Sequence, residues 1–219
     1  MNRIGFSVFP PPPRNTLKRE LRWEFHVSSI CGTLSGMQRF MDQTGIRELI
    51  ASLADQIAAD TSLEPTPENP LALVGIRSRG ELLAQRLAEA LQLKSGRGGV
   101  KPHIDVGALD ITMYRDDLTS RGSIAIPQGT EMNFRLDNRP LILCDDVLDT
   151  GRSVRAALDA LVDFGRPRII RLAVLIDRDR HEFPIAADYT GQALNPPSPS
   201  QKILVHLTPT DPEDGVYLK

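Results

Sequence analysis

The chain has 219 residues, 41% of them hydrophobic, which is enough for one core of ordinary size, and its formal net charge of −2 gives no global footprint for nucleic acid. Its two cysteines, Cys31 and Cys144, argue against a disulfide framework and for a reducing, cytoplasmic setting. No apolar run reaches membrane-spanning length.

Residues 1–36 read apart from the rest. Pro10 to Pro13 form a polyproline run, and the stretch through Arg14, Lys18, Arg19, Trp23 and His26 holds no sustained period. It also lacks the continuous apolar stretch and small-residue cleavage pattern of a secretory signal. We expect a flexible extension here, or upstream sequence ahead of a true start at Met37 or Met41; Trp23 and Phe25 keep open a docking segment. The folded domain is expected over 37–219.

Beyond Met37, Ile46, Leu49, Ile50, Leu53 and Ile57 mark one face of an amphipathic helix that ends before the turn-rich stretch 64–70. Leu71 to Ile76 predicts a buried strand running into Arg77-Ser78-Arg79-Gly80, then a helix with Leu83, Leu87, Ala90 and Leu91 inward. Two arginines in such a loop suit a diphosphate, whereas taken alone they are solvated loop cations capped by Gly80. The alternation of Leu109-Asp110-Ile111-Thr112-Met113-Tyr114 predicts a strand. A polar stretch from Arg115 to about Arg139 follows, with Gly122, Pro127 and Gly129; a loop of that length is a lid or disordered. A closing lid would exclude water from displacement at an activated sugar.

Leu141-Ile142-Leu143-Cys144 carries no polar alternation, as in a strand covered on both faces of a parallel sheet. Asp145-Asp146-Val147-Leu148-Asp149-Thr150-Gly151-Arg152-Ser153 follows, and Val154, Leu158, Leu161 and Val162 then recur at helical spacing until Gly165. Paired acids and a Gly turn between a strand and a helix N-terminus stand where open α/β sheets bind ligands. Gly151, the hydroxyls of Thr150 and Ser153 and the unpaired first N–H groups of the helix suit an anion, while the acids accept hydrogen bonds from vicinal sugar hydroxyls. A ribose 5-phosphate satisfies both halves; a solvated, N-capped turn is the plainer alternative. Ile169 to Ile176 predicts another strand, ending in Asp177-Arg178-Asp179-Arg180-His181. Shorter strands are expected at Asp188 to Thr190, Lys202 to Leu207 and Val216 to Leu218, at an edge or over the site. The alternation of strands and helices predicts an α/β fold with a parallel sheet. His103, His181 and His206 are scattered and receive no catalytic role, and Cys144 reads as core.

The Leu141 to Ser153 string resembles the signature of type I phosphoribosyltransferases. Together with Gly75-Ile76-Arg77-Ser78-Arg79-Gly80, Tyr114-Arg115-Asp116-Asp117 and Ala186-Ala187-Asp188-Tyr189-Thr190-Gly191, it resembles the bifunctional pyrimidine operon regulator and uracil phosphoribosyltransferase family from about Met37 to the C-terminus. The resemblance implies a mainly parallel sheet flanked by helices, with a flexible lid loop and a small C-terminal β hood. It implies transfer of ribose 5-phosphate from phosphoribosyl diphosphate to uracil, giving uridine monophosphate (UMP), with Mg2+ bound mainly through substrate. Asp145, Asp146, Arg79 and Arg115 would be catalytic. Ser78 and Arg79 would hold the diphosphate, with Arg115 approaching it from the lid. The run Val147, Leu148, Asp149, Thr150, Gly151, Arg152 and Ser153 would cradle the sugar phosphate, and Arg178 would lie near the base. A leader segment of pyrimidine messenger RNA would be a second partner, for which Arg152, Arg155, Arg166, Arg168, Arg171, Arg178 and Arg180 concentrate charge, and the protein would be a dimer or higher oligomer.

Three departures qualify the likeness. Asp149 stands where the family usually has an aromatic residue; an acid there resembles the hypoxanthine-guanine transferases, where it faces the purine, and makes purine salvage an alternative. Ser153 replaces Thr, keeping the hydroxyl. Asp179 replaces a common Gly ahead of an inverted Arg180-His181. An RNA-binding regulator with little catalysis is a further alternative.

Overall fold

The computed structural model describes residues 37–95, 103–116, 129–196, 198 and 200–219. The extension expected over 1–36, with Cys31, and stretch 117–128 of the expected lid lie outside the described residues. In chain order the elements are β1 (Gln38–Met41), α1 (Gln43–Ala59), β2 (Leu71–Ile76), α2 (Arg79–Ser95), β3 (Ile104–Leu109), β4 (Pro140–Leu148), α3 (Arg152–Leu161), β5 (Ile169–Asp177), β6 (Tyr189–Ala193), β7 (Ile203–His206) and β8 (Gly215–Leu218).

Five strands form a parallel sheet in the order β3-β2-β4-β5-β6. Successive side chains of a strand point to opposite faces, and here both faces are apolar, so each strand supplies two cores. Leu71, Leu73, Ile142, Cys144, Ala173 and Leu175 pack toward α1 and α2. Ala72, Val74, Leu141, Leu143, Leu172 and Val174 pack toward α3, where Val154, Ala157 and Leu161 meet them. Asp42 caps α1, its side chain accepting the Gly45 N–H at 3.0 Å.

The expected tail strands take both expected places. β6 extends the main sheet along β5, whereas β7 and β8 form an antiparallel hood with β1. No expectation covered β1: four residues of mixed polarity carry little periodic signal, and their partner lies at the far end of the chain. The strand expected over 109–114 is displaced. β3 ends at Leu109, because the Asp110 carboxylate turns back on its own loop, accepting the Thr112 N–H at 2.8 Å and the Gly129 N–H at 3.0 Å. Residues 112–114 form a 3-10 turn with Met113 75% exposed. Val162, expected inward, is also 75% exposed, since the helix tightens into a 3-10 turn at 162–164 before Gly165. No helix among the described residues is long and apolar enough to cross a membrane.

The hood is fastened to α2. Arg86 grips Asp214 through Nη1 at 2.7 Å and Nη2 at 2.9 Å, and also donates to the Thr208 carbonyl and hydroxyl. These bonds hold the Asp214 carboxyl down at about 2, from an ordinary 3.8. A lowered acid adds stability that is full above its unfolded pKa and lost as pH falls through the folded one. Asp214→Asn is therefore expected to cost on the order of 2 kcal/mol at pH 7 and to lose this deficit between pH 4 and 2. Urea midpoints of both proteins across that range check it.

Candidate active site

The acids sit inside β4, whose ladder to β5 continues to Leu148. The sequence placed them after the strand; the last four residues of the strand are in fact the site wall. α2 begins directly against that wall. A Cβ on Gly80 would stand 2.4 Å from the Cys144 carbonyl oxygen and 3.2 Å from the Asp145 Cα, so only glycine lets the first turn of α2 approach. Gly80→Ala should push α2 from the sheet, costing about 1–3 kcal/mol. A drop in thermal midpoint is the expected readout.

Asp145 is buried and Asp146 half-buried. The Asp145 carboxylate accepts the Asp146 N–H at 3.0 Å, and Asp146 accepts the Val147 N–H at 3.0 Å. Burial raises the Asp145 carboxyl well above the usual range, and the neighbouring Asp146 charge adds to it. Burial also raises Asp146, opposed by its hydrogen bond with Asp145 and by the Arg79 charge. Two adjacent carboxyls that resist joint ionisation are poised for hydroxyl donors or a cation. Behind them Cys144 is fully buried, its thiol pushed up by burial, as suits an inert core residue.

Beyond Leu148 the chain turns through 149–151 into α3. Gly151 has φ 88° and, as the N-cap residue of α3, offers no side chain; the Thr150 hydroxyl accepts the Arg152 N–H at a long 3.4 Å. The nearest atom to a Cβ there would be 3.5 Å away, so it is the left-handed backbone that requires glycine. A small pocket, partly open to solvent, is lined by Asp145 and residues 147–154. A helix end whose cap residue is glycine, at the floor of a polar pocket, favours an anion. The chain after β5 braces the turn, with the Arg178 N–H donating to Leu148 and the Glu182 N–H to Thr150, both at 2.9 Å.

The expected side chains gather unevenly. Arg115 reaches the turn before α3, donating to the Ser153 hydroxyl at 3.2 Å, and its charge lowers Asp145. The Arg152 side chain donates to Glu182 and Asp116. Arg178, 5% exposed, donates to Asp149 at 3.0 Å and to the Gln201 carbonyl at 2.9 Å. In this cluster Asp149 Oδ1, Arg178 Nε and Gln201 Oε1 are buried without a hydrogen-bond partner. Ser78 is exposed beside a cis Arg77–Ser78 peptide bond.

The arginine pair of that loop diverges. Arg77 lies 2.7 Å from Glu131, without the alignment of a hydrogen bond, and 3.8 Å from Glu81. Arg79 turns to the hood, its Nε and Nη2 donating to Asp211 at 2.9 and 2.8 Å. Sequence reasoning missed Asp211 and Gln201. The acid-rich Asp211-Pro212-Glu213-Asp214 run was the available signal for the first, and Gln201 had none.

The seven arginines considered for RNA do not form one patch. Arg152 and Arg155 on α3 face Asp116, whereas Arg171 donates to Asp188 and Ser62 on the α1 side of the sheet. Arg178 is buried. Among the described residues no three His, Cys, Asp or Glu side chains come together as a metal cage.

Residues 41–208 match the model of the phosphoribosyl transferase domain family. The chain is 44% identical over 184 residues to the Bifunctional protein PyrR of Roseiflexus sp. (strain RS-1), covering 84% of this chain and 95% of that one. It is 42% identical over 180 residues to the PyrR of Pelotomaculum thermopropionicum, covering 82% and 94%. In three dimensions it resembles the hypoxanthine phosphoribosyltransferase of Trypanosoma cruzi, with a TM-score of 0.61 at 16% identity over 83% of this chain and 95% of that one. The HGPRT-ase of Leishmania tarentolae gives 0.60 at 17% identity over 85% and 98%. At such identities these two likenesses speak for the fold alone.

Proposed function

Because the chain belongs to the phosphoribosyltransferase family, and within it to the PyrR group, we propose that it transfers the 5-phosphoribosyl group of phosphoribosyl diphosphate to uracil, yielding UMP and diphosphate. The observation that carries this reading is the meeting of Asp145 and Asp146 with the glycine-started end of α3 and the first turn of α2. The acids would accept the ribose hydroxyls, the 149–153 turn would take the 5-phosphate, and Ser78 and Arg79 would take the diphosphate. Arg115, tied to Ser153, would act on the phosphate side of the sugar, and Arg178 with Asp149 would face the base. As diphosphate leaves, carbon 1 gains oxocarbenium character, and the protein's part is to stabilise separating charge.

Mg2+ suits this donor set, because two carboxylates held above their ordinary range gain from a nearby cation and offer hard oxygens. When bound it would supply charge to the departing diphosphate. Asp145 and Asp146 would meet it directly or through the sugar.

We take 37–219 as the catalytic domain, and the buried, unpaired Cys144 supports a cytoplasmic setting. Exposed Met113, Leu158, Val162 and Phe164 support self-association into a dimer or higher oligomer. A second activity, binding a pyrimidine messenger leader in response to UMP, rests on the group and on the exposed Arg152, Arg155, Arg166, Arg168 and Arg180.

The deciding experiment incubates the protein with phosphoribosyl diphosphate, Mg2+ and, separately, uracil, hypoxanthine or guanine. Uracil should turn over fastest, and faster purine turnover would sink the assignment. For RNA, a gel shift that weakens steeply with salt is expected; an absent or salt-insensitive shift counts against regulation.

A further inference from the structure

Asp211 lies in the loop joining β7 to β8, outside every segment that signals a phosphoribosyl site, yet it holds Arg79 by a two-pronged pair. Arg79 Nε donates to Oδ2 at 2.9 Å and Nη2 to Oδ1 at 2.8 Å. The loop is itself fixed: Oδ2 also accepts the Leu207 N–H at 2.8 Å, and the Asp211 N–H returns to the Leu207 carbonyl at 3.0 Å. The Asp211 side chain is 10% exposed and that of Arg79 is 35% exposed. Nη1 of Arg79 takes no part in the pair, and the guanidinium stands close enough to Asp146 for each charge to act on the other.

Two roles fit a carboxylate in this position. It could compete with an incoming anion for Arg79, or it could fix Arg79 where the anion arrives. Burial decides between them. Taking Arg79 away would strand a nearly buried carboxylate with one backbone donor, which is strongly unfavourable. Leaving the pair intact costs nothing and removes beforehand the rotamer freedom of a long arginine at the first position of a helix.

We propose that Asp211 is a positioning residue for diphosphate binding, holding the Arg79 guanidinium at the head of α2 so that its remaining N–H groups meet the substrate. Through this contact the hood, clamped two turns along the same helix by Arg86 and Asp214, sets the geometry of the leaving-group site. The inference rests on the reading of Arg79 as a diphosphate ligand.

The test measures binding of phosphoribosyl diphosphate and of UMP, each with Mg2+, by calorimetry on the full chain. UMP shares the ribose and the 5-phosphate but carries uracil on carbon 1 where phosphoribosyl diphosphate carries the diphosphate. Asp211→Asn should weaken phosphoribosyl diphosphate about tenfold or more, with UMP affinity within twofold. Asp211→Glu, which keeps the charge but shifts the fork by one methylene, should fall between, and its thermal midpoint guards against a folding failure. Arg79→Gln should weaken the same ligand, and adding Asp211→Asn to it should change little further. Equal weakening of both ligands by Asp211→Asn would mark a merely structural residue and overturn the proposal, as would tighter diphosphate binding, the mark of competition. Unchanged binding in Asp211→Asn beside weakened binding in Arg79→Gln overturns the proposal and leaves the site reading standing. Unchanged binding in Arg79→Gln removes the site reading, and the proposal with it.

Discussion

Replacing Asp145 and Asp146 together by Asn is expected to lower turnover by about 10²–10⁴-fold while raising thermal stability at neutral pH. The first effect follows from the proposed role: a hydrogen bond to a charged acceptor is worth roughly 1.5–3 kcal/mol, and two such acceptors would be lost at the sugar. The second follows from the sign of the shifts. Both carboxyls are raised in the folded protein, mainly by burial. Above the ordinary carboxylate range the unfolded chain ionises freely while the folded chain resists, so stability falls as pH rises toward the folded values. Asn removes that cost, so the variant's advantage should be present at pH 7 and absent near pH 3. Steady-state kinetics beside thermal melts at both pH values checks the pair of outcomes. A variant that melts higher yet turns over normally would refute the sugar-binding role.

Such a cost, held at the end of an otherwise apolar strand, is a reason the acids were conspicuous in the sequence. Leu141 to Cys144 predicts a doubly covered strand because period-2 alternation is absent, and the structure buries each of these residues. α1 and the head of α2 were legible for the complementary reason, an apolar face at helical spacing. What could not be read depends on distant partners. β1 finds its partner at the other end of the chain, and Arg79 finds its carboxylate in the hood. The two arginines around Ser78 looked equivalent in the loop, but only tertiary packing gives one Glu131 and the other Asp211. Leu109 to Tyr114 misled because Asp110 occupies a polar position of an alternating pattern while its carboxylate terminates the strand.

Asp149→Asn is expected to raise the KM for uracil by about 10–100-fold and leave that for phosphoribosyl diphosphate within a few-fold. Asp149 is the signature residue that departs furthest from the family likeness, and the fold places it against Arg178 with one prong of each left over. Asp149 Oδ2 takes Arg178 Nη1 at 3.0 Å, whereas Asp149 Oδ1 and Arg178 Nε are buried and unmatched. An acceptor beside a donor complements a ring N–H next to a carbonyl, the edge that uracil presents. Asparagine is nearly isosteric, and its amide oxygen can keep the Arg178 bond while its NH2 replaces Oδ1. A donor would then face a donor, leaving two groups unpaired, the arrangement that costs most. Because hypoxanthine also pairs a ring N–H with a carbonyl, the same variant should lose whichever base the wild type prefers. A cytosine control, with no N–H at the corresponding ring nitrogen, separates edge reading from simple damage. If Asp149→Asn leaves the KM for the preferred base unchanged, Asp149 is only the counterion of Arg178 and base choice lies elsewhere in the pocket.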